Sequence, residues 1–270
     1  FIEKQQAFVP VMDRGFLFGD GVYEVIPVYH GKIFHLAEHL KRLQKSLDAI
    51  QISNPFSAEK YSEIINKLTK FSAAENQSVY LQITRGVDKK RKHSFAALAP
   101  TVYIESNPLL IKSKQALEQG FAAISQIDIR WQRCDIKAIS LLPNILYAQL
   151  AKDKKVEEII LFRNNKITEG ATSNVFLLKG DRLFTHPVNE NILAGITRNL
   201  VLKSAKICGL KVEEIAFSLD DTKTADGLWI SGSTREVMPI ITFDQKPIAN
   251  GEISPYWHSV YEQFQRLKNA

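Results

Sequence analysis

Residues 157–187, EEIILFRNNKITEGATSNVFLLKGDRLFTHP, decide how the second half of this chain folds. Four runs in it, EEIILFR, KITEG, SNVFLLK and RLFTHP, are rich in β-branched and other apolar residues and read as strands. Asn164-Asn165 and Gly180-Asp181 are residue types that tolerate positive φ, and so turn one strand into the next. Further out, FAAISQIDIRWQ on one side and LWISG on the other are also strand-like. Helices are expected at about 142–153, 197–208 and 255–268. Strands dominate, without the regular strand–helix alternation of a doubly wound sheet. No GxGxxG follows a strand and no GxxxxGK[ST] occurs, so dinucleotide and P-loop chemistry lack their phosphate loops.

The first hundred or so residues read as a small α+β unit. GVYEVIPVYHGKIFH is apolar on both sides of His30-Gly31 and predicts a hairpin. LAEHLKRLQKSLDAI places Leu36, Leu40, Leu43, Leu47 and Ile50 at helical spacing. SAEKYSEIINKLTKF predicts a second helix, with Tyr61, Ile64, Ile65 and Leu68 on one face. VYLQITRG and TVYIES are strand-like. Asn107-Pro108 breaks the strand pattern and marks a connection between domains. The expected organisation is a small domain over 1–110 and a larger one over 111–270.

Composition fits a globular protein with a sizeable core: 45% of residues are hydrophobic and 24% charged. No apolar run reaches the length of a membrane span. The first ten residues, FIEKQQAFVP, are charged and lack the apolar segment of a signal peptide. Two cysteines, Cys134 and Cys208, stand far apart in no metal-ligating pattern, which argues against a metal site and for plain thiols in a reducing, cytoplasmic setting. The net charge is +6, but 35 basic residues are interleaved with 29 acidic ones. Only Lys89-Lys90-Arg91-Lys92-His93 is dense, and without interleaved aromatics it predicts no nucleic-acid partner. It reads as a solvated loop or a site for small anions. A basic, non-catalytic binding module is the competing class of answer.

Four local features could carry chemistry. Lys137 lies in the largely apolar stretch CDIKAISLL, where desolvation favours the neutral amine that Schiff-base chemistry requires. Read alone, it better fits a lysine paired with Asp135 or one reaching out of a core. Glu169-Gly170-Ala171-Thr172-Ser173-Asn174-Val175 puts a carboxylate before small and hydroxylated residues, suited to a protonated ring nitrogen or to a plain tight turn. Leu193-Ala194-Gly195-Ile196-Thr197-Arg198 leads into a helix for which Thr197 fits the N-cap and Gly209 the stop. Its free N–H groups would suit a phosphate. Ser231-Gly232-Ser233-Thr234 follows an apolar strand and offers more donors.

Taken together and in order, these motifs resemble the fold-type IV pyridoxal-phosphate enzymes, the D-amino acid and branched-chain aminotransferases. The resemblance runs through RGFLFGDGVYE at residues 14–24, Arg42 after His39, Lys137, Glu169-Gly170 with Ser173-Asn174, and Gly195-Ile196-Thr197-Arg198. The thirty-two residues from Lys137 to Glu169 and the twenty-eight from Glu169 to Thr197 match the family's spacing. It implies a mixed α/β, two-domain fold: a small α+β domain and a larger strand-rich pseudobarrel, with pyridoxal 5′-phosphate between them. Lys137 would hold the cofactor as a Schiff base and shuttle the proton. Glu169 would hold the ring nitrogen. Arg42, Ile196, Thr197 and Ser233 would bind the phosphate, with Thr172 also on the cofactor and Leu193 under its ring. Tyr23 would face the substrate. Homodimers are the family habit.

Arg91-Lys92-His93 resembles the Arg-x-His pair with which D-amino acid aminotransferases trap the substrate carboxylate across the dimer, a task suited to the guanidinium fork. The preceding loop, Val87-Asp88-Lys89-Lys90, is one residue longer than the common pattern, so Lys90 and Lys92 compete for the role. Transamination of a D-amino acid such as D-alanine with a 2-oxo acid such as 2-oxoglutarate is therefore the leading expectation. An L-branched-chain aminotransferase comes second and a lyase acting on aminodeoxychorismate third.

Overall fold

The structure is a computed structural model and describes residues 1–269. The chain divides into two compact units. The first comprises Phe1–Leu110 together with Ile136–Leu141; the second comprises Ile111–Asp135 and the chain from Leu142 onward.

In the first unit, α1 (Arg14–Phe18) leads into β1 (Gly21–Tyr29) and β2 (Lys32–Ile33), then α2 (Leu36–Ala49), α3 (Ala58–Thr69), β3 (Gln77–Thr84) and β4 (Thr101–Pro108). The sheet is antiparallel in the order β2-β1-β3-β4. The expected hairpin is present: Tyr29 pairs with Lys32, and His30 and Gly31 both take positive φ. Because side chains alternate along a strand, Val22, Glu24, Ile26 and Val28 share one face of β1 and Tyr23 and Val25 the other. The first face is buried with Leu43 and Leu47 of α2 and Ile65 of α3. The expected break at Asn107-Pro108 is displaced. β4 runs through both residues, with Pro108 opposite Gln77 at the end of an edge strand, where a missing N–H costs no ladder bond. Ile136–Leu141 joins this unit by lying antiparallel along the start of β1. Tyr23 N donates to Lys137 O, Ile139 N donates to Gly21 O, and Val22 bridges to Ala138.

The second unit contains α4 (Lys114–Leu117), β5 (Phe121–Ile127), α5 (Leu142–Lys154), β6 (Glu158–Arg163), β7 (Lys166–Gly170), β8 (Asn174–Lys179), β9 (Arg182–Thr185), α6 (Ile196–Ile207), β10 (Lys211–Glu213), β11 (Gly227–Gly232), β12 (Glu236–Phe243), β13 (Lys246–Pro247) and α7 (Pro255–Asn269). Its mixed sheet runs β10-β9-β8-β11-β12-β5-β6-β7, with β13 pairing β12. Two strand–helix–strand crossovers are present: α5 joins β5 to parallel β6, and α6 joins β9 to parallel β10. The other sequential links are hairpins or loops. FAAISQIDIRWQ stays a strand only to Ile127, after which Asp128 and Arg130 turn inward.

The strand order forces this sheet to curl. β7 and β8 are five places apart in it, about 24 Å in a flat sheet. The connector between them is only residues 171–173, which spans at most about 14 Å. The end of β7 and the start of β8 must therefore meet across the curl. Among the described residues, no helix is long and apolar enough to cross a membrane.

Candidate active site

The first unit holds Lys137, Tyr23, Arg42, Arg91 and His93. Lys137 is fixed by its backbone: its N–H donates to Ser46 Oγ (3.3 Å) and its carbonyl accepts from Tyr23 N (2.9 Å). The half-buried side chain places Nζ 4.2 Å from the centroid of the Tyr23 ring. A pairing with Asp135 is not made, because that carboxylate takes two hydrogen bonds from Arg133. Beneath the sheet, Glu24 is fully buried. Arg42 grips it with Nε to Oε1 (2.8 Å) and Nη2 to Oε2 (2.7 Å), and His39 Nδ1 lies 2.7 Å from Oε2. Burial alone would raise the Glu24 pKa, but the Arg42 charge and the hydrogen bonds from Arg42 and His39 outweigh it and hold the carboxyl at about 2. Burial also lowers the His39 pKa, against the pull of Glu24.

Arg91 and His93 meet on one ring. The Arg91 guanidinium lies 4.9 Å from the Phe18 centroid and the His93 ring 5.7 Å from it. Arg14 pins the loop beneath them, donating to Lys92 O (2.7 Å) and His93 O (3.1 Å). Lys92 leans toward Asp88, 3.9 Å away.

The second unit holds Glu169, Thr172, Leu193, Ile196, Thr197 and Ser233. Glu169 ends β7 and Asn174 begins β8, so the closure of the curl brings them together. Asn174 Nδ2 donates to Glu169 Oε2 (3.1 Å) and to Leu193 O (2.9 Å); Leu193 N donates to the same Oε2 (3.0 Å). Arg130 Nη1 donates to Glu169 Oε1 (2.6 Å). Burial raises the Glu169 pKa, and the Arg130 charge only partly opposes it. Thr172 and Ser173 donate their hydroxyls to Glu158 Oε2 (3.0 and 2.8 Å), which fixes the connector. Gly170 is required here, since a Cβ would stand 2.2 Å from Ser173 Oγ.

Thr197 is not the cap of α6. Gly195 takes the N-cap position with no side-chain hydrogen bond, and Thr197 is the second helical residue, buried. The reason is space: a Cβ on Gly195 would stand 2.0 Å from Asn174 Oδ1. The first N–H groups of α6 thus carry no side-chain cap, the arrangement that favours an anion. Ser231, buried at the end of β11, has an Oγ without a partner among the described residues. Ser233 stands half-exposed in the turn that follows. Sequence reasoning misses Arg130, Asp128 and the role of Glu24. A faint signal for the first two is a pair of charges at alternate positions, Asp128 and Arg130, continuing an apolar strand.

These groups fit the implied cofactor. An ionised carboxylate offers about four acceptor positions, and three on Glu169 are filled by Arg130, Asn174 and Leu193. Among the described residues none fills the fourth, which suits a ring N–H. An uncapped helix start and an orphaned buried hydroxyl are donors suited to a phosphate.

The model of the family described as "Amino-transferase class IV" matches residues 21–243. The D-alanine aminotransferase of Bacillus licheniformis is 38% identical over 265 residues, covering 98% of this chain and 93% of its own. That of Staphylococcus aureus (strain N315) is 36% identical over 273 residues, covering 98% and 94%. A solved PLP-bound structure of a hypothetical aminotransferase from Mycobacterium tuberculosis has the same fold, with a TM-score of 0.85 at 20% identity over 99% of this chain and 95% of that one. Matched by the family model over most of its length and by relatives over nearly all of it, the chain belongs to the class IV aminotransferases, enzymes that work with pyridoxal phosphate.

Proposed function

We propose that this protein transfers the amino group of a D-amino acid such as D-alanine to a 2-oxo acid such as 2-oxoglutarate. The activity named for both full-length relatives supports it. The observation that carries the substrate reading is the basic loop, where Arg91 and His93 share the Phe18 ring and Arg14 holds the carbonyls of Lys92 and His93. A guanidinium fork binds a carboxylate in a set orientation, which is what discrimination between enantiomers needs.

When bound, the cofactor supplies a protonated ring that accepts electron density from the substrate Cα. Lys137 Nζ would hold the cofactor's aldehyde carbon and would take and return the substrate's Cα proton. Glu169 would hold the ring N–H, and Leu193 would support the ring. Arg42, the N–H groups at Ile196 and Thr197, and Ser233 would take the phosphate, with Thr172 shaping the connector. Tyr23 faces the substrate. A second copy of this chain belongs to the same reading, because α5 exposes Leu142, Ile145 and Leu146. A reducing, cytoplasmic setting suits the two free thiols.

The test is steady-state kinetics on loop variants. Arg91→Ala is expected to raise KM for D-alanine about 10- to 100-fold, the loss of one charge-assisted pair, with little change in cofactor affinity. An unchanged KM there, with a raised KM in Lys90→Ala or Lys92→Ala, would take the role from Arg91.

A further inference from the structure

Glu169 does not stand alone in its unit. Arg130 touches it with Nη1 only; the other edge of the guanidinium, Nε and Nη2, is bound to Asp128 Oδ1 and Oδ2, both at 2.9 Å. Asp128 also accepts from Thr168 Oγ1 (3.1 Å) and from Arg130 N (3.0 Å). Arg163 backs the pair: its Nη2 lies 3.3 Å from Asp128 Oδ1 and donates to the carbonyls of Arg130 (2.8 Å) and Trp131 (3.1 Å). The Asp128, Arg130 and Glu169 side chains are all nearly buried, so their interactions are weakly screened.

The polarity of this shell is one-sided. Among the described residues, the groups bonded to Glu169 (Arg130 Nη1, Asn174 Nδ2 and Leu193 N) are N–H donors with no lone pair to offer. A protonated Glu169 would lose the charge that these donors serve and would find no acceptor among them for its own O–H. The shell therefore favours the ionised carboxylate, against the burial that pushes its pKa up. In a pair that shares one proton with a ring nitrogen, whatever selects the carboxylate leaves the proton on nitrogen.

We propose that Arg130, oriented by Asp128, is a positioning residue that keeps Glu169 ionised and so keeps the cofactor's ring nitrogen protonated. This rests on the reading of Glu169 as the partner of that nitrogen. A protonated ring is the better electron sink, so Arg130 acts on the rate of Cα proton removal without touching substrate.

The experiment is 15N NMR of the holoenzyme reconstituted with pyridoxal phosphate labelled at the ring nitrogen, at pH 7.5, with near-UV circular dichroism as the check on folding. In the unaltered protein the signal should lie in the protonated range. In Arg130→Met it should move toward the unprotonated range, with kcat for D-alanine down roughly 100-fold. Arg130→Gln, which keeps a donor to Glu169 without the charge and stands in should the Met variant fail to fold, should move it the same way. Arg130→Lys should restore most of the protonated signal, and Asp128→Asn should give a smaller shift in the direction of Met. A folded Met or Gln variant whose nitrogen stays protonated overturns the proposal. Glu169→Gln separates the two levels. If it shifts the signal while the neutral Arg130 variants do not, only the role of Arg130 fails. If it leaves the signal in place, the reading of Glu169 itself fails.

Discussion

Lys137 is held by its main chain, to Ser46 on one side and Tyr23 on the other, and neither bond involves Nζ. Truncation should therefore spare the fold. Lys137→Ala is expected to melt within a few degrees of the unaltered protein, yet to lose transamination by more than about 1,000-fold, as befits a group that both holds the cofactor and moves the proton. Normal turnover in that variant would remove Lys137 from the chemistry. Glu24 behaves in the opposite way. Its folded pKa of about 2 lies below the ordinary 4.5, so it stabilises the fold fully above about pH 4.5, and that contribution fades as pH falls toward 2. His39, lowered by burial, adds acid sensitivity from about 6.5 downward, because the unfolded chain takes up a proton that the folded one resists. Glu24→Gln leaves Arg42 without its carboxylate and should cost about 3–5 kcal/mol at pH 6. Urea unfolding at pH 6 and pH 3 should find the variant's deficit shrinking with acidity; an equal deficit at both would refute the ion-pair account. At this scale Lys137 and Glu169 are picked out by their joint spacing with Thr197, since each local string read alone also fits a structural role. Arg130 is not, because its partner lies thirty-nine positions away and only tertiary structure joins them.

At the scale of elements, local chemistry announces the turns. His30-Gly31 and Asn164-Asn165 both adopt the positive φ that their residue types allow, and each pair closes a hairpin. Cap preferences misplace the start of α6 by two positions, since they favour a hydroxyl and nothing local reveals that Asn174 fills the space beside Gly195. That contact makes a prediction. Gly195 has an ordinary φ of −69°, so Gly195→Ala carries no backbone strain; its Cβ would instead displace Asn174 Oδ1 and with it the bonds to Glu169 and Leu193. A loss of about 1–3 kcal/mol is expected, with faster cofactor release on dilution. A variant that releases cofactor at the unaltered rate would mean that Asn174 does not govern Glu169.

At the scale of the whole molecule, the decisive feature is the order of strands in the larger sheet. No periodicity in the sequence encodes that β7 and β8, neighbours in the chain, lie five places apart, yet this order curls the sheet and delivers Glu169, Thr172 and Asn174 to one place. Strand content is legible; the curl has to come from the resemblance, carried by the spacing of Lys137, Glu169 and Thr197. The pairing of Ile136–Leu141 with the first unit is likewise invisible, because it depends on a strand more than a hundred residues earlier. Amino-group transfer from a D-amino acid is tested most directly by the visible spectrum of the purified, yellow holoenzyme. D-alanine is added to one cuvette and L-leucine to another, with no acceptor present. D-alanine should bleach the cofactor band and L-leucine should leave it intact; bleaching by L-leucine alone would contradict the D-amino acid reading and return Arg91 and His93 to the role of a basic loop.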